Sequence, residues 1–140
     1  LFRHVYLSRF SRNLSTLVAG GIPIVKALDS VAGIVGNKVY YNILIESARQ
    51  VRSGRSIAQS LQNKLEFPPI VGQMIQIGET TGKLQEVLEK LAQFYEKEVE
   101  NLLKVLTTLI EPIVMIFLGV AVAIMVAGIL LPIYNLASTA

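Results

Sequence analysis

The chain has 140 residues, with 13 Lys and Arg, 10 Asp and Glu, one His and neither Cys nor Trp. Without cysteine it can carry no disulfide framework, thiolate zinc site, iron–sulfur cluster or Cys nucleophile. His4 alone cannot supply a multi-histidine metal site, and a diffuse net charge of +3 does not point to nucleic acid. Hydrophobic residues make up 52 % and charged residues only 16 %, against roughly 25 % charge in an ordinary soluble domain. The deficit is local, because every charge lies between Arg3 and Glu111. A stretch of ordinary charge density, long enough for one small core, is therefore followed by an uncharged tail. The helix-like opening without an initiator Met suggests a segment of a longer protein.

In the charged part nothing alternates with period two, and helical spacing recurs throughout. A first helix is predicted from about Val5 to Val18, with Tyr6, Phe10, Leu14, Leu17 and Val18 on one face, stopped by Gly20-Gly21. Pro23 then suits a first helical turn, opening a second helix with Ile24, Leu28, Val31 and Ala32 inward. Gly36 ends it. Asn37 is a natural N-cap for a third helix that holds Tyr40, Ile43, Leu44, Ala48 and Val51. Gly54 stops the third, and Ser56 caps a short fourth with Ile57 and Leu61. Phe67-Pro68-Pro69 is a break, since the residue before a proline is pushed out of helical geometry. A fifth helix follows with Ile70, Val71, Met74 and Ile77. The turn from Gly78 to Gly82, with Thr81 as cap, leads into a long sixth helix. Its apolar residues run from Leu84 through Leu88, Leu91, Tyr95 and Val99 to Leu106, opposite a charged face that includes Glu86 and Lys90.

Beyond these elements, Ile113 to Leu131 is free of charge and of strong polar groups. At about 1.5 Å per residue it covers about 28 Å, the thickness of a bilayer's hydrocarbon core. A buried core helix is the competing explanation. Lys97 and Lys104 precede the run and no Lys or Arg follows it, which predicts the bundle on the cytoplasmic side and the carboxyl end outside. The predicted fold class is all-α, an antiparallel six-helix bundle followed by one transmembrane helix. Its expected divisions are a cytoplasmic bundle over 1–106, the membrane helix over 107–134 and a short outer tail over 135–140.

Four groups of residues are candidate sites. Gly78, Glu79 and Gly82 form a corner that superficially resembles a phosphate-binding loop. It has three residues between the glycines instead of four, Leu84 where a hydroxyl is needed, and a preceding helix instead of a strand. A structural corner is the better reading. Arg49, Arg52 and Arg55 recur every three residues as a basic ridge, either a solvated face or a contact for anionic lipid headgroups or an acidic partner. Glu111 and Pro112 open the membrane span, where a carboxylate meets the positive end of a helix dipole and proline suits a first turn. Gly119, Ala123 and Ala127 recur every four residues as a small-residue stripe for packing against another membrane helix. His4 is expected to be solvated. No Ser–His–acid set, carboxylate dyad or metal-spaced cluster is legible, so neither catalytic residues nor a cofactor are expected.

Several pieces recur in a known order. They are Phe10-x-Arg12-x-Leu14-x-x-Leu17, Gly21-Ile-Pro23-Ile-x-x-Ala27-Leu28, Gly54-x-Ser56-Ile-Ala58 and Phe67-Pro68. Ile77-Gly78-Glu79-x-x-Gly82-x-Leu84, with Leu88 and Tyr95, comes next. Leu109-Ile110-Glu111-Pro112 and Leu131-Pro132-Ile133 complete the series. Taken together they resemble the carboxyl-terminal half of the type II secretion system F and type IV pilus inner-membrane platform family. Thr80-Thr81 departs from it, since the family more often has a single small residue there. The resemblance implies a non-catalytic platform with two helical domains and three membrane helices, of which this chain is the second domain and last helix. It implies a bacterial cytoplasmic membrane location and homo-oligomers. The implied partners are a cytoplasmic assembly ATPase, pilin or pseudopilin, other inner-membrane assembly proteins and membrane lipid. A membrane-anchored helical adaptor or a transporter subunit is the alternative. A transporter would need ionisable or broken segments within the membrane, which the span lacks.

Overall fold

The computed structural model describes residues 2–139, with side chains to residue 137, and contains six α-helices and no strand among those residues. They are α1 (Phe2–Ala19), α2 (Ile24–Ile34), α3 (Lys38–Arg52), α4 (Ile57–Leu61), α5 (Pro69–Thr81) and α6 (Leu84–Thr139). The chain divides into two compact units at Glu100–Asn101.

The first unit is the bundle. Helices α1 to α5 each pack on the next in the chain. Its core is formed by Leu7, Phe10 and Leu14 of α1, Leu28 and Val31 of α2 and Leu44 of α3. Ile57 of α4, Val71 and Ile75 of α5, and Leu88 and Leu91 of α6 complete it. Burying each such side chain contributes roughly 1.5–3 kcal/mol, so this shared interior, not helix propensity, holds elements as short as α4 in place.

The helix boundaries follow local chemistry. The Asn37 side chain accepts from Val39 N at 2.8 Å and Tyr40 N at 3.2 Å, capping α3 as expected. Ser56 caps α4 in a reciprocal box, its hydroxyl accepting from Gln59 N at 3.1 Å while Gln59 Oε1 accepts from Ser56 N at 3.2 Å. Pro23 stands one step outside the expected first turn, as the extended residue before α2. A second polar lock lies inside: the Ser47 hydroxyl meets that of Ser60, which donates to Ile57 O at 2.6 Å, joining α3 to α4.

Four further expectations need correction. The fifth helix does not turn at Gly78 but runs to Thr81, and its inward face is Val71, Ile75 and Gly78, leaving Ile70 and Ile77 exposed. Thr81 does not cap the next helix; its hydroxyl donates back to Ile77 O at 2.7 Å. His4 is half-buried, its ring 5.9 Å from that of Tyr95 on α6. Finally, the sixth helix and the apolar run are one continuous element, so Glu111 and Pro112 lie in the interior of α6 and meet no helix N-terminus.

The second unit, from Asn101 onward, is the distal part of α6. Its side chains are exposed almost throughout, Ile113 to Leu131 among them. The helix is long and apolar enough to cross a membrane, with a mean hydropathy of 3.0 over its most apolar stretch. Pro112 has no N–H to offer the carbonyl of Thr108, one turn back. The preceding turns carry Thr107 and Thr108, whose hydroxyls donate to Leu103 O and Lys104 O, both at 2.8 Å.

Candidate functional site

The corner joining α5 to α6 is the most constrained feature among the sequence candidates. Gly82 ends α5 with a left-handed backbone, φ 73° and ψ 19°, its N–H bonded to Gly78 O. Lys83 N donates to the same carbonyl at 2.9 Å, so a two-residue link closes the helix end in the manner of a left-handed cap. On the bundle side, a Cβ placed on Gly78 would lie 3.0 Å from Leu84 Cα and 3.2 Å from Val87 Cβ. Only the bare backbone of glycine lets α6 cross α5 this closely. A Cβ at Gly82 would meet no neighbour, but a valine there would be held at positive φ. Gly82→Val is therefore expected to cost about 1–2 kcal/mol and Gly82→Asn much less, read as the thermal midpoint of the full-length protein in detergent micelles.

Glu79 points away from that link, back across the bundle. Its Oε2 accepts from Ile57 N at 2.9 Å and its Oε1 from Ala58 N at 3.0 Å. These are the first two amides of α4, so one carboxylate satisfies two donors that no residue within α4 can satisfy. Its negative charge also sits at the positive end of that helix. Together with Ser56, Glu79 closes the amino end of α4. Gly78, Glu79 and Gly82 thus act on three different neighbours, α6, α4 and the link itself. The corner lacks the open loop of backbone amides that wraps a phosphate, because residues 78–81 are helical. Glu79→Ala is expected to destabilise by about 1–3 kcal/mol, the cost of leaving partly buried donors unpaired, with Glu79→Gln between it and the parent. The same micelle unfolding experiment checks it.

The arginines of the ridge are largely engaged. Arg49 grips Glu46, with Nε to Oε2 at 2.9 Å, and Arg52 lies 3.7 Å from Asp29 of α2. Arg55 sits beyond the end of α3, its Nη1 donating to Gln50 Oε1 at 3.0 Å. Hydrogen bonds from Arg49, then Gln50, lower the Glu46 carboxyl to about 2. Two of the three guanidiniums therefore meet a carboxylate, and the basic ridge is partly neutralised. A further bidentate pair joins α1 to α6, Arg12 donating to Glu96 at 2.7 and 3.1 Å. That hydrogen bonding lowers the Glu96 carboxyl and raises Arg12.

On α6, Gly119, Ala123 and Ala127 are exposed, and a Cβ on Gly119 would meet open space. An aromatic knot joins α1 and α3 to the loop before α5. Phe67 lies 5.1 Å from Phe10, edge to face, and 5.5 Å from Tyr40, whose hydroxyl donates to Glu66 O at 2.9 Å. Burial raises the Tyr40 phenol. A groove rich in side-chain amides lies between α4 and α5. The i,i+3 spacing of Gln59 with Gln62 and of Gln73 with Gln76 is its signal in the sequence.

Fold and corner together define a helical-bundle domain joined to a helix of membrane-spanning length and apolarity. The chain belongs to the family described as type II secretion system (T2SS), protein F, which matches residues 10–132. Among its relatives is the Type IV pilus assembly protein PilC of Thermus thermophilus, 41 % identical over 140 residues, covering 99 % of this chain and 34 % of that protein. PilC of Pseudomonas aeruginosa is 42 % identical over 130 residues, covering 93 % and 35 %. The Type II secretion system protein F of Pseudomonas aeruginosa is 35 % identical over 136 residues, covering 97 % and 34 %. The chain thus spans about a third of the length of these curated relatives.

Proposed function

We propose that this chain is the carboxyl-terminal helical domain and last membrane helix of a non-catalytic inner-membrane platform. The machine it serves is of the type IV pilus or type II secretion kind. The observation that carries this reading is the match along nearly the whole chain to relatives named for pilus assembly and type II secretion. In the proposed arrangement the bundle faces the cytoplasm, where it meets the assembly ATPase, and α6 carries the chain across the bilayer to a carboxyl end outside. Another helix of the same protein, a second protomer, or a pilin or pseudopilin subunit would pack on the Gly119, Ala123 and Ala127 stripe, since small residues let membrane helices approach closely. Glu111 and Pro112 would mark the cytoplasmic start of the span. The engaged side chains of the corner suit a scaffold, in which geometry is the output.

Sidedness and coupling are tested together in the full-length protein in its own cells. An impermeant maleimide added to spheroplasts is expected to label Asn135→Cys and to spare Lys97→Cys, and the reverse pattern overturns the orientation. Gly119→Ile and Ala123→Ile are expected to abolish crosslinking to pilin or pseudopilin and to halt assembly at unchanged expression, while Ile116→Leu and Val120→Leu leave both intact. Equal effects of the two sets remove the stripe as an interface. Failure of the full-length protein to copurify with the assembly ATPase after crosslinking overturns the coupling role.

A further inference from the structure

A groove of about 740 Å³ lies between α4, the 62–68 loop and α5, within the size range of ligand pockets, about 300–1,000 Å³. Its lining is chemically unusual. Five side-chain amides face it, those of Gln59, Gln62, Asn63, Gln73 and Gln76. Apart from Gln59, which closes the capping box of α4, none of them makes a side-chain hydrogen bond among the described residues. Arg3 and Lys64 line it too, and no carboxylate does. Gly72 leaves open space beside the two α5 amides.

The groove is held in shape from beneath. Arg3 Nη2 donates to Leu65 O at 2.7 Å, Tyr40 Oη to Glu66 O at 2.9 Å, and Phe67 N to Lys64 O at 3.2 Å. Phe67 is buried in the aromatic knot. Asn63 takes a left-handed backbone, φ 63°, a conformation that Asn tolerates better than most residues. With its carbonyls so engaged, the loop lifts Leu65 into solvent, 89 % exposed. A large apolar side chain so exposed on a pinned loop is positioned for contact, since nothing in its own backbone geometry requires leucine.

A carboxamide offers both a donor and an acceptor, the complement of the alternating N–H and C=O of an extended peptide backbone. Two amide rows from neighbouring elements, a cationic rim without carboxylates and one projecting leucine select a particular occupant. We infer that this groove binds an extended acidic peptide segment of a partner protein, its backbone held by the Gln and Asn side chains, its carboxylates by Lys64 and Arg3, and one apolar residue against Leu65. The inference depends on neither the sidedness nor the machine proposed above.

The test uses the full-length protein in its own cells, with the photocrosslinker p-benzoylphenylalanine replacing Gln76, and maps the crosslinked peptide by mass spectrometry. An adduct to a protein segment of net negative charge is expected. Its yield should fall about fivefold or more with Lys64→Glu, since like charges repel across an interface, and less with Lys64→Gln. It should be unchanged with Lys26→Glu, an exposed substitution on α2 away from the groove. Adducts to lipid, to neutral or basic segments, or to nothing at all overturn the inference, as does an adduct indifferent to Lys64→Glu. Loss of the adduct on adding millimolar inorganic phosphate to permeabilised cells reassigns the groove to small anions and overturns it equally.

Discussion

Phe10→Ala is expected to be the most damaging single substitution in the bundle, at about 3–5 kcal/mol. Phe10 is fully buried and lies edge-on to Phe67 at a ring distance of 5.1 Å. Truncation removes transfer energy, leaves a cavity and frees the ring that pins the 62–68 loop. At about 4–8 °C per kcal/mol for a domain of this size, the midpoint in detergent micelles should drop by about 12 °C or more. Phe94→Ala is the control: Phe94 is 52 % exposed, its ring edge-on to that of Tyr95, so its truncation should cost about 1.5 kcal/mol or less. Comparable losses for the two would mean that the core lies elsewhere.

Gly78→Val should come next, at about 3 kcal/mol. The added Cβ would stand 3.0 Å from Leu84 Cα, a backbone atom that moves only if α6 moves with it. The β-branch adds to the clash with Val87, so relief requires separating α5 from α6 and drawing Glu79 off the amides of α4. Gly33 supplies the contrast, since a Cβ there meets open space on an exposed turn of α2. Gly33→Ala should therefore stabilise by about 0.5–1 kcal/mol. Far-ultraviolet circular dichroism during heating, on the full-length protein in micelles, separates the two outcomes by sign.

Helix order and most boundaries were legible because capping and breaking are local. Asn37, Ser56, Gly54 and Pro68 act on residues within one turn of themselves, so their chemistry is written beside them. What escaped depends on distant partners. On α5, Val71 and Met74 pack inward as their spacing predicts, whereas Ile70 and Ile77, equally apolar, are exposed and Ile75 and Gly78 take the inner face. The inward choice is made by α6, which needs the space of a missing side chain at Gly78. Glu79 was picked out as part of a corner, but its cap on α4 joins residues more than twenty positions apart. Proline suits first turns, so the sequence alone makes Pro112 look like a beginning. The helix instead continues through it, and the turns on either side carry the structure across the single lost hydrogen bond. Spacing within α4 and α5 shows each pair of glutamines, whereas their meeting in one groove depends on the two helices lying side by side.

The Glu79 cap has a kinetic consequence. Helix α4 has only five residues, too few to persist alone, and the amides of Ile57 and Ala58 find their acceptor on α5. Hydrogen exchange at these two amides therefore requires the Glu79 contact to break, whichever of the two helices moves. Solvent reaching those two protons marks the moment at which α4 and the end of α5 part.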